Sequence, residues 1–132
     1  MPPVDASTIE SSVVGTFIHD MPRIMAAADL IMCRAGASTI SELSYMGKPV
    51  IMVPSPNVTN NHQEKNARVL ESAGGAKVLL EGEFDAGSLL NEMKALISDE
   101  EKLGVMSGKM RSLAVPQATD RITEIVLGLC NK

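Results

Sequence analysis

The sequence predicts an α/β fold of the Rossmann-like kind, in which helices cover a parallel sheet. Short apolar runs alternate along the chain with longer segments of helical periodicity, and this alternation is typical of parallel sheets. The length of 132 residues suits one compact domain and is too short for two separate cores. A hydrophobic content of 45% with 21% charged residues is ordinary for a globular domain.

Four apolar runs are the predicted strands, at residues 13–18, 29–33, 50–53 and 76–80. The second and third runs are continuous apolar stretches, which are typical of strands buried on both faces of a sheet. We therefore expect four strands in the sheet.

Turn and capping residues delimit the first two predicted helices. Asp20 before Pro22 is typical of an N-cap with proline in the first turn, and it predicts a helix to about residue 28. A second helix, over about residues 38–46, should end at Gly47, because glycine takes the left-handed conformation there and a proline follows.

The later part of the chain is predicted to be mainly helical. Asn60 or Asn61 is suited to cap a third helix, which ends at residues 74–75. Beyond the fourth apolar run the sequence contains only helical patterns, with apolar residues spaced three and four apart. These patterns predict three further amphipathic helices, of which the second begins at a cap at residues 98–99.

The predicted domain lacks one expected part. Nucleotide-binding α/β domains usually begin with a strand that runs into a glycine-rich phosphate loop, and this sequence contains neither GxGxxG nor a Walker motif. Residues 1–12 do not have the pattern of a strand. We therefore expect a poorly structured segment over residues 1–12 and a partial Rossmann-like domain over residues 13–132.

Charge and aromatic content argue against nucleic acid as a partner. The formal net charge is -4, whereas nucleic-acid binders usually carry a basic face. The chain has no Trp, one Tyr and two Phe, so stacking platforms for bases are almost absent.

Cysteine spacing and hydropathy indicate the compartment. Cys33 and Cys130 form no CxxC motif and lie in apolar surroundings, so we expect reduced core thiols. The sequence has no signal-peptide pattern and no apolar run of about 18 residues. A cytoplasmic location is predicted, and peripheral membrane contact stays open.

The segment from Arg34 to Glu42 is the most informative candidate site. It follows a predicted buried strand and opens a helix, at the sheet edge where ligands of α/β folds bind. Free N–H groups and the positive helix end there suit a phosphate. Two alternatives stay open for each charged residue. Arg34 pairs with a phosphate or with a nearby carboxylate, and Glu42 contacts a ligand or closes a capping box with Thr39.

A second polar segment, residues 60–66, opens another helix at the same edge. Its amide and imidazole groups, in His62 and Gln63, are suited to hold sugar hydroxyls. The alternative is a solvated first turn in which Asn61 and Glu64 form a cap. No nucleophile motif accompanies either histidine, so no catalytic triad is predicted.

Several blocks in the same order resemble one known family. The blocks are FIHDM at 17–21, ADLIMCRAGASTISEL at 28–43, GKP at 47–49, VP at 53–54 and HQEKNA at 62–67. Together they resemble the C-terminal domain of the MurG family of bacterial glycosyltransferases. Members of that family transfer N-acetylglucosamine from its UDP donor to lipid I, giving lipid II for peptidoglycan.

The resemblance implies a role for each residue that would contact the nucleoside. The backbone of Ile18 would face the uracil, with Phe17 and Met21 beside it. Glu42 would accept hydrogen bonds from the two ribose hydroxyls. The resemblance thus favours the ligand alternative for Glu42 over the cap.

The same resemblance assigns the diphosphate and the sugar. Ala37, Ser38 and Thr39 would lie along the diphosphate and the sugar at the helix start. Gln63 would hydrogen-bond the N-acetylglucosamine hydroxyls, with His62 next to it. UDP-N-acetylglucosamine is therefore the expected ligand, and no cofactor or metal is expected because the chain has no Asp-x-Asp motif.

The family's acceptor domain, with its proposed catalytic base and glycine-rich loops for the lipid diphosphate, has no counterpart in the sequence. No catalytic residue is therefore predicted in this chain. We expect either a piece of a longer enzyme, peripheral on the cytoplasmic face of the membrane, or a natural half that acts only with a partner chain. The second alternative has a parallel in the split eukaryotic N-acetylglucosamine transferase. The isolated chain is expected to be inactive in both cases.

Overall fold

A computed structural model describes residues 15 and 17–130, and the segment predicted at 1–12 lies outside these residues. The described chain contains a parallel sheet of three strands in the order β1-β2-β3. The strands are β1 (Ile31–Cys33), β2 (Val50–Met52) and β3 (Ala76–Val78). In register, Met32 lies opposite Ile51, which in turn lies opposite Lys77. The predicted α/β class is therefore confirmed.

Helices connect the strands and complete the chain. The α-helices in the described residues are α1 (Met21–Ala27), α2 (Ala37–Met46), α3 (His62–Ser72), α4 (Ala86–Ile97), α5 (Glu100–Ser112) and α6 (Ala118–Cys130). A short 3₁₀ turn, Thr59–Asn61, precedes α3. The helices that the spacing of apolar residues predicted are therefore present in the structure.

The central strand β2 divides the core into two clusters. Neighbouring side chains of a strand point to opposite faces of the sheet, and all three side chains of β2 are buried. Val50 and Met52 belong to a cluster with buried residues of α2, α3 and α5. Ile51 belongs to a second cluster with Leu96 of α4 and Met106 of α5. Helices therefore cover both faces of the sheet.

The helix ends lie at the predicted residues, but Asp20 does not cap α1 through its side chain. Gly47 ends α2 at φ 64°, in the left-handed conformation, and its N–H donates to the Ser44 carbonyl. Asp99 caps α5, because its carboxylate accepts from the Lys102 N–H at 2.9 Å. Asp20 holds the N-cap position of α1 but makes no side-chain cap bond. Proline in the first turn sets the backbone there without it.

The first predicted strand is not observed where the structure describes it. Residues 13, 14 and 16 lie outside the described part, and Gly15, Phe17 and Ile18 have no strand conformation. Within the described residues the sheet has three strands, in which β1 pairs with β2 and β2 with β3. Half of the first predicted strand lies outside these residues, so a fourth strand stays a prediction.

The last helix differs from the others in burial. Every residue of α6 is exposed, and the apolar residues Ile122, Ile125 and Leu129 each expose more than half of their surface. The amphipathic pattern predicted the helix correctly, but α6 contributes no buried residue to the core. Cys130 is consequently exposed, and its predicted core position is wrong. Cys33 is partly buried, and burial raises the pKa of its thiol to about 11.

We expect the two free thiols to differ sharply in reactivity toward Ellman's reagent at neutral pH. Cys130 is exposed and should react fast, whereas Cys33 is shielded and its raised pKa leaves little thiolate to attack. Cys130→Ser should remove the fast phase, and Cys33→Ser should preserve it. Two fast phases of equal amplitude in the native chain would contradict this assignment.

Glu71 joins α3 to the edge strand β3. Its Oε1 accepts a hydrogen bond from the Val78 N–H at 2.9 Å, and its Oε2 accepts one from Arg68 Nη1 at 2.7 Å. Burial on its own raises the pKa of this carboxyl, but the bonds from Val78 and Arg68 outweigh burial, and the pKa lies below its ordinary 4.5. The ionised form of Glu71 therefore stabilises the folded chain.

We expect Glu71→Gln to lower the free energy of unfolding at neutral pH by about 1 kcal/mol, because charge-assisted hydrogen bonds of a partly exposed group become neutral ones. Since the pKa is depressed in the folded state, this stabilisation is present above pH 4.5 and is lost as the pH falls through the folded-state pKa. Urea unfolding at neutral and acidic pH measures the effect. Glu124→Gln on the exposed α6 is the matched control, and an equal loss at both pH values in Glu71→Gln would argue against this linkage.

Candidate functional site

The carboxyl ends of the three parallel strands lie along one edge of the sheet. Open α/β sheets bind their ligands at this edge, where loops lead from strands into helices. The loop after β1 leads into α2, and the loop after β2 leads into α3. Both polar segments singled out in the sequence therefore lie on the expected side of the sheet.

A cavity of about 510 Å³ lies between α1, β1 and α2. Four of its lining residues are site residues predicted from the sequence, namely Ile18, Met21, Thr39 and Glu42. The rest of its lining is apolar apart from the Cys33 thiol: Ile24, Met25, Ala28, Leu30, Ile31, Met32 and Leu43. An apolar cavity with a few convergent polar groups is the usual form of a small-molecule site.

The position of Glu42 in α2 decides between its two alternatives. The helix begins at Ala37 with Gly36 as N-cap, and the Ile40 N–H already donates to the Gly36 carbonyl at 3.0 Å. Glu42 is therefore the sixth residue of α2, whereas a capping box needs the acidic residue at the third helical position. The capping alternative is wrong, because extended Gly36 starts the helix earlier than the Thr39 spacing suggested. Within the described residues no hydrogen bond of the Glu42 carboxylate is found.

The first turn of α2 contains Ala37, Ser38 and Thr39. Among the described residues no side chain caps this helix end, and its first turn contains no acidic residue. The first N–H groups of a helix have no partner inside the helix. Ala37 and Ser38 are exposed, and the Thr39 side chain reaches the cavity. The helix start is thus compatible with an anion.

Arg34 immediately follows β1 and is engaged by protein groups. Its guanidinium forms a two-point pair with Glu81, with Nη1 3.1 Å from Oε2 and Nη2 3.2 Å from Oε1. Nη1 also donates to the carbonyls of Val53 at 3.2 Å and Pro54 at 3.4 Å. The Arg34 hydrogen bond and charge hold the pKa of Glu81 below its ordinary value. The two alternatives for Arg34 were a phosphate and a nearby carboxylate, and in the structure it pairs with the carboxylate of Glu81.

The second polar segment lies at the start of α3. Gln63 is partly buried, and its Oε1 accepts from the Ser55 N–H at 2.9 Å. His62 is exposed, and its Nδ1 lies 2.9 Å from the Thr59 carbonyl, which assigns the proton to that nitrogen. Neither residue lines the 510 Å³ cavity. They form a separate part of the same sheet edge.

The cap predicted at the start of α3 is only partly observed. Asn61 holds the N-cap position of α3 at φ 52°, but it makes no cap bond to the backbone. Its Nδ2 instead donates to Glu64 Oε2 at 2.6 Å, so the predicted pairing is between side chains.

Phe17 is 72% exposed and packs edge-to-face on His19, with ring centroids 5.0 Å apart. It does not line the cavity that contains its neighbour Ile18.

Sequence reasoning missed Glu81 and Ser55. Glu81 is 47 residues from its partner Arg34, so helical spacing gives no sign of the pair. The available signal was position, because an acidic residue directly follows a predicted strand at the same sheet edge. Ser55 contributes a backbone N–H, which any residue except proline supplies. Its identity therefore gave no signal.

No group of three or more His, Cys, Asp or Glu side chains in residues 15 and 17–130 is arranged to hold a metal ion. Within the same residues, no helix has the length and apolar character needed to cross a bilayer.

Comparisons with known proteins agree with the fold. The family described as Glycosyltransferase family 28 C-terminal domain matches residues 5–122. A Bacillus cereus protein named UDP-N-acetylglucosamine--N-acetylmuramyl-(pentapeptide) pyrophosphoryl-undecaprenol N-acetylglucosamine transferase 1 is 40% identical over 120 residues, which are 91% of this chain and 33% of the relative. An Acetivibrio thermocellus transferase of the same name, without the number, is 48% identical over 110 residues, 83% of this chain and 30% of the relative.

A solved structure leads to the same family. The crystal structure of Acinetobacter baumannii MurG superposes with a TM-score of 0.77 at 33% identity, over 85% of this chain and 33% of that one. The chain thus spans about a third of the length of the relatives that it matches. The resemblance seen in the sequence motifs is confirmed. With the family match extending over nearly the whole sequence, this chain belongs to the glycosyltransferase family 28 C-terminal domains.

Proposed function

We propose that this chain is the donor-binding part of an inverting transferase that moves N-acetylglucosamine from UDP to an undecaprenyl-linked muramoyl-peptide, converting lipid I to lipid II. The observation that carries the proposal is the cavity in which Thr39 and Glu42 meet the apolar residues Ile18 and Met21 beside the start of α2. The names of the relatives from Bacillus cereus and Acetivibrio thermocellus support the same donor and acceptor.

The proposal assigns the nucleoside to the 510 Å³ cavity. The backbone of Ile18 faces the uracil and Met21 lies beside it on the apolar side, whereas the exposed ring of Phe17 lies outside the cavity lining. The Glu42 carboxylate accepts hydrogen bonds from both ribose hydroxyls, which are stronger than neutral bonds because the acceptor is charged. Two features support this role: Glu42 is too far into α2 to cap the helix, and it lines the cavity.

The proposal assigns the diphosphate to the first turn of α2. The N–H groups of Ala37, Ser38 and Thr39 point toward the helix start, where the helix dipole favours negative charge. The absence of a side-chain cap and of acidic residues in this turn supports an exogenous anion there. Attack by an acceptor hydroxyl at the anomeric carbon releases UDP, and these N–H groups stabilise the negative charge that develops on it.

The proposal assigns the sugar to the start of α3. Gln63 hydrogen-bonds hydroxyls of N-acetylglucosamine, and His62 lies next to them. The base that deprotonates the acceptor and the site for the lipid belong to the region of the relatives outside this domain. This chain matches 33% of the length of the Bacillus cereus relative, so the region outside the match makes up about two thirds of it. The whole enzyme would then work peripherally on the cytoplasmic face of the membrane.

We expect Glu42→Gln to weaken UDP binding by about 1–3 kcal/mol, because two charge-assisted hydrogen bonds become neutral ones. The melting temperature should stay within error, since Glu42 caps no helix. Titration with UDP at millimolar concentration, followed by amide chemical shifts, measures the affinity. Glu124→Gln on the exposed α6 is the control and should bind as the native chain does. Unchanged affinity in Glu42→Gln would remove the ribose from this carboxylate.

We expect the isolated chain to bind UDP-N-acetylglucosamine weakly or not at all at ordinary concentrations and to transfer no sugar to lipid I. The described residues contain no assigned base, and binding the donor does not supply one. A radiolabel transfer assay with purified lipid I measures the activity. Turnover by the pure chain that disappears in Glu42→Ala would overturn the assignment of this domain to donor binding alone.

A further inference from the structure

The guanidinium of Arg34 connects the carboxyl ends of all three strands. Arg34 is the first residue after β1, and its Nη1 reaches the carbonyls of Val53 and Pro54, which follow β2. Both of its terminal nitrogens pair with Glu81, three residues after β3. One side chain therefore fixes the relative position of three loops at the candidate site.

The loop after β2 is held from two sides. On one side its carbonyls at Val53 and Pro54 accept from Arg34. On the other side its Ser55 N–H donates to Gln63 Oε1 at 2.9 Å. Two consecutive residues, Pro54 and Ser55, thus join the Arg34–Glu81 pair to the side chain assigned to the sugar. The bond from Ser55 also fixes which end of the Gln63 amide faces the loop.

We propose that the Arg34–Glu81 pair is a positioning device, which holds the Val53–Ser55 loop so that Ser55 orients Gln63 with its amide N–H donors available to a sugar hydroxyl. The identification of the ligand as a nucleotide sugar rests on the proposed function. The Ser55 bond turns the oxygen of Gln63 toward the loop, so the Nε2 group, with its two N–H donors, faces away from the loop toward a hydroxyl that accepts. Arg34 acts through Gln63 and does not touch the ligand.

The chemistry of arginine fits this role better than a direct phosphate contact. Nη1 already serves three acceptors, Glu81 and the two loop carbonyls, so a phosphate at that nitrogen would have to displace one of them. The side chains of Arg34 and Glu81 are 50% and 48% exposed, so their pairing adds little to global stability. The planar fork of arginine supplies a fixed geometry that lysine lacks. The consequence to measure is therefore local order in the loop.

Amide hydrogen exchange in the 132-residue chain tests the positioning directly. Arg34→Ala should speed exchange of the Ser55 amide about tenfold or more, as expected when one hydrogen bond loses its support. Glu81→Gln should have a smaller effect in the same direction, because the two carbonyl bonds of Arg34 remain. The Val53 amide, which donates to the Cys33 carbonyl at 2.9 Å within the sheet, should keep its protection.

Arg23→Ala is the matched control, because Arg23 forms an exposed pair with Asp20 on another part of the chain. It should leave Ser55 unchanged. Unchanged Ser55 exchange in Arg34→Ala would overturn the proposal. Equal loss of protection at Ser55 and Val53 would also overturn it, because that result indicates general unfolding of the edge.

Binding gives a second, independent measurement. The affinities for UDP-N-acetylglucosamine and for UDP are compared in Arg34→Ala, Gln63→Ala and the double variant. We expect Arg34→Ala and Gln63→Ala each to lose the extra affinity due to the sugar, the double variant to lose no more, and UDP affinity to stay the same. An equal drop for both nucleotides in Arg34→Ala would indicate a direct phosphate contact and overturn the proposal. If the native chain bound neither nucleotide even at millimolar concentration, the proposed function would fail, and Ser55 exchange would still decide the positioning role.

Discussion

Burial of the central strand β2 is the constraint on which the rest of the structure depends. Val50, Ile51 and Met52 have no exposed surface, so both faces of the sheet must be covered along the whole strand. A parallel neighbour on each side satisfies the backbone of β2, and helices cover its two faces. Because parallel strands end at the same edge, this packing also gathers the strand-to-helix loops at one place. The candidate site is thus a geometric consequence of an apolar strand.

Because the strands are short, several backbone carbonyls lie outside regular structure, and charged side chains donate hydrogen bonds to them. Arg34 donates to the carbonyls that follow β2. Lys48 donates through Nζ to the carbonyls of Ala26 and Ala28 at the end of α1, at 2.7 and 2.9 Å. A cation at a helix C-terminus also interacts favourably with the helix dipole. These residues belong to the blocks that resemble the family, which therefore include structural as well as ligand-directed residues.

The sequence predicted those features that depend on local chemistry. The continuous apolar runs that became β1 and β2, the end of α2 at Gly47 and the cap at Asp99 are each determined by neighbouring residues. Features that depend on distant residues were missed. The pairing of Arg34 with Glu81, for example, joins residues far apart in sequence.

The exposed helix α6 illustrates the same boundary. Its apolar periodicity predicted an amphipathic helix correctly, yet periodicity identifies an apolar face without identifying what covers it. The preceding helix α5 buries Met106 and Met110, whereas α6 buries nothing within the described chain. Cys130 was expected in the core on the strength of its apolar neighbours, and those neighbours are themselves exposed.

The two halves of the site differ in how they achieve specificity. Around Glu42 the cavity is lined by apolar side chains, so few polar groups compete for the carboxylate and a ligand must supply the donors. Around Gln63 the Ser55 N–H holds the amide oxygen toward the loop, and the Nε2 group with its two donors faces away from it. In the proposed function, a ligand that fits both halves has hydroxyl donors at one end and hydroxyl acceptors at the other, with an anion between them at the start of α2. A nucleoside diphosphate sugar combines these groups in that order, and a free nucleotide lacks the last of them.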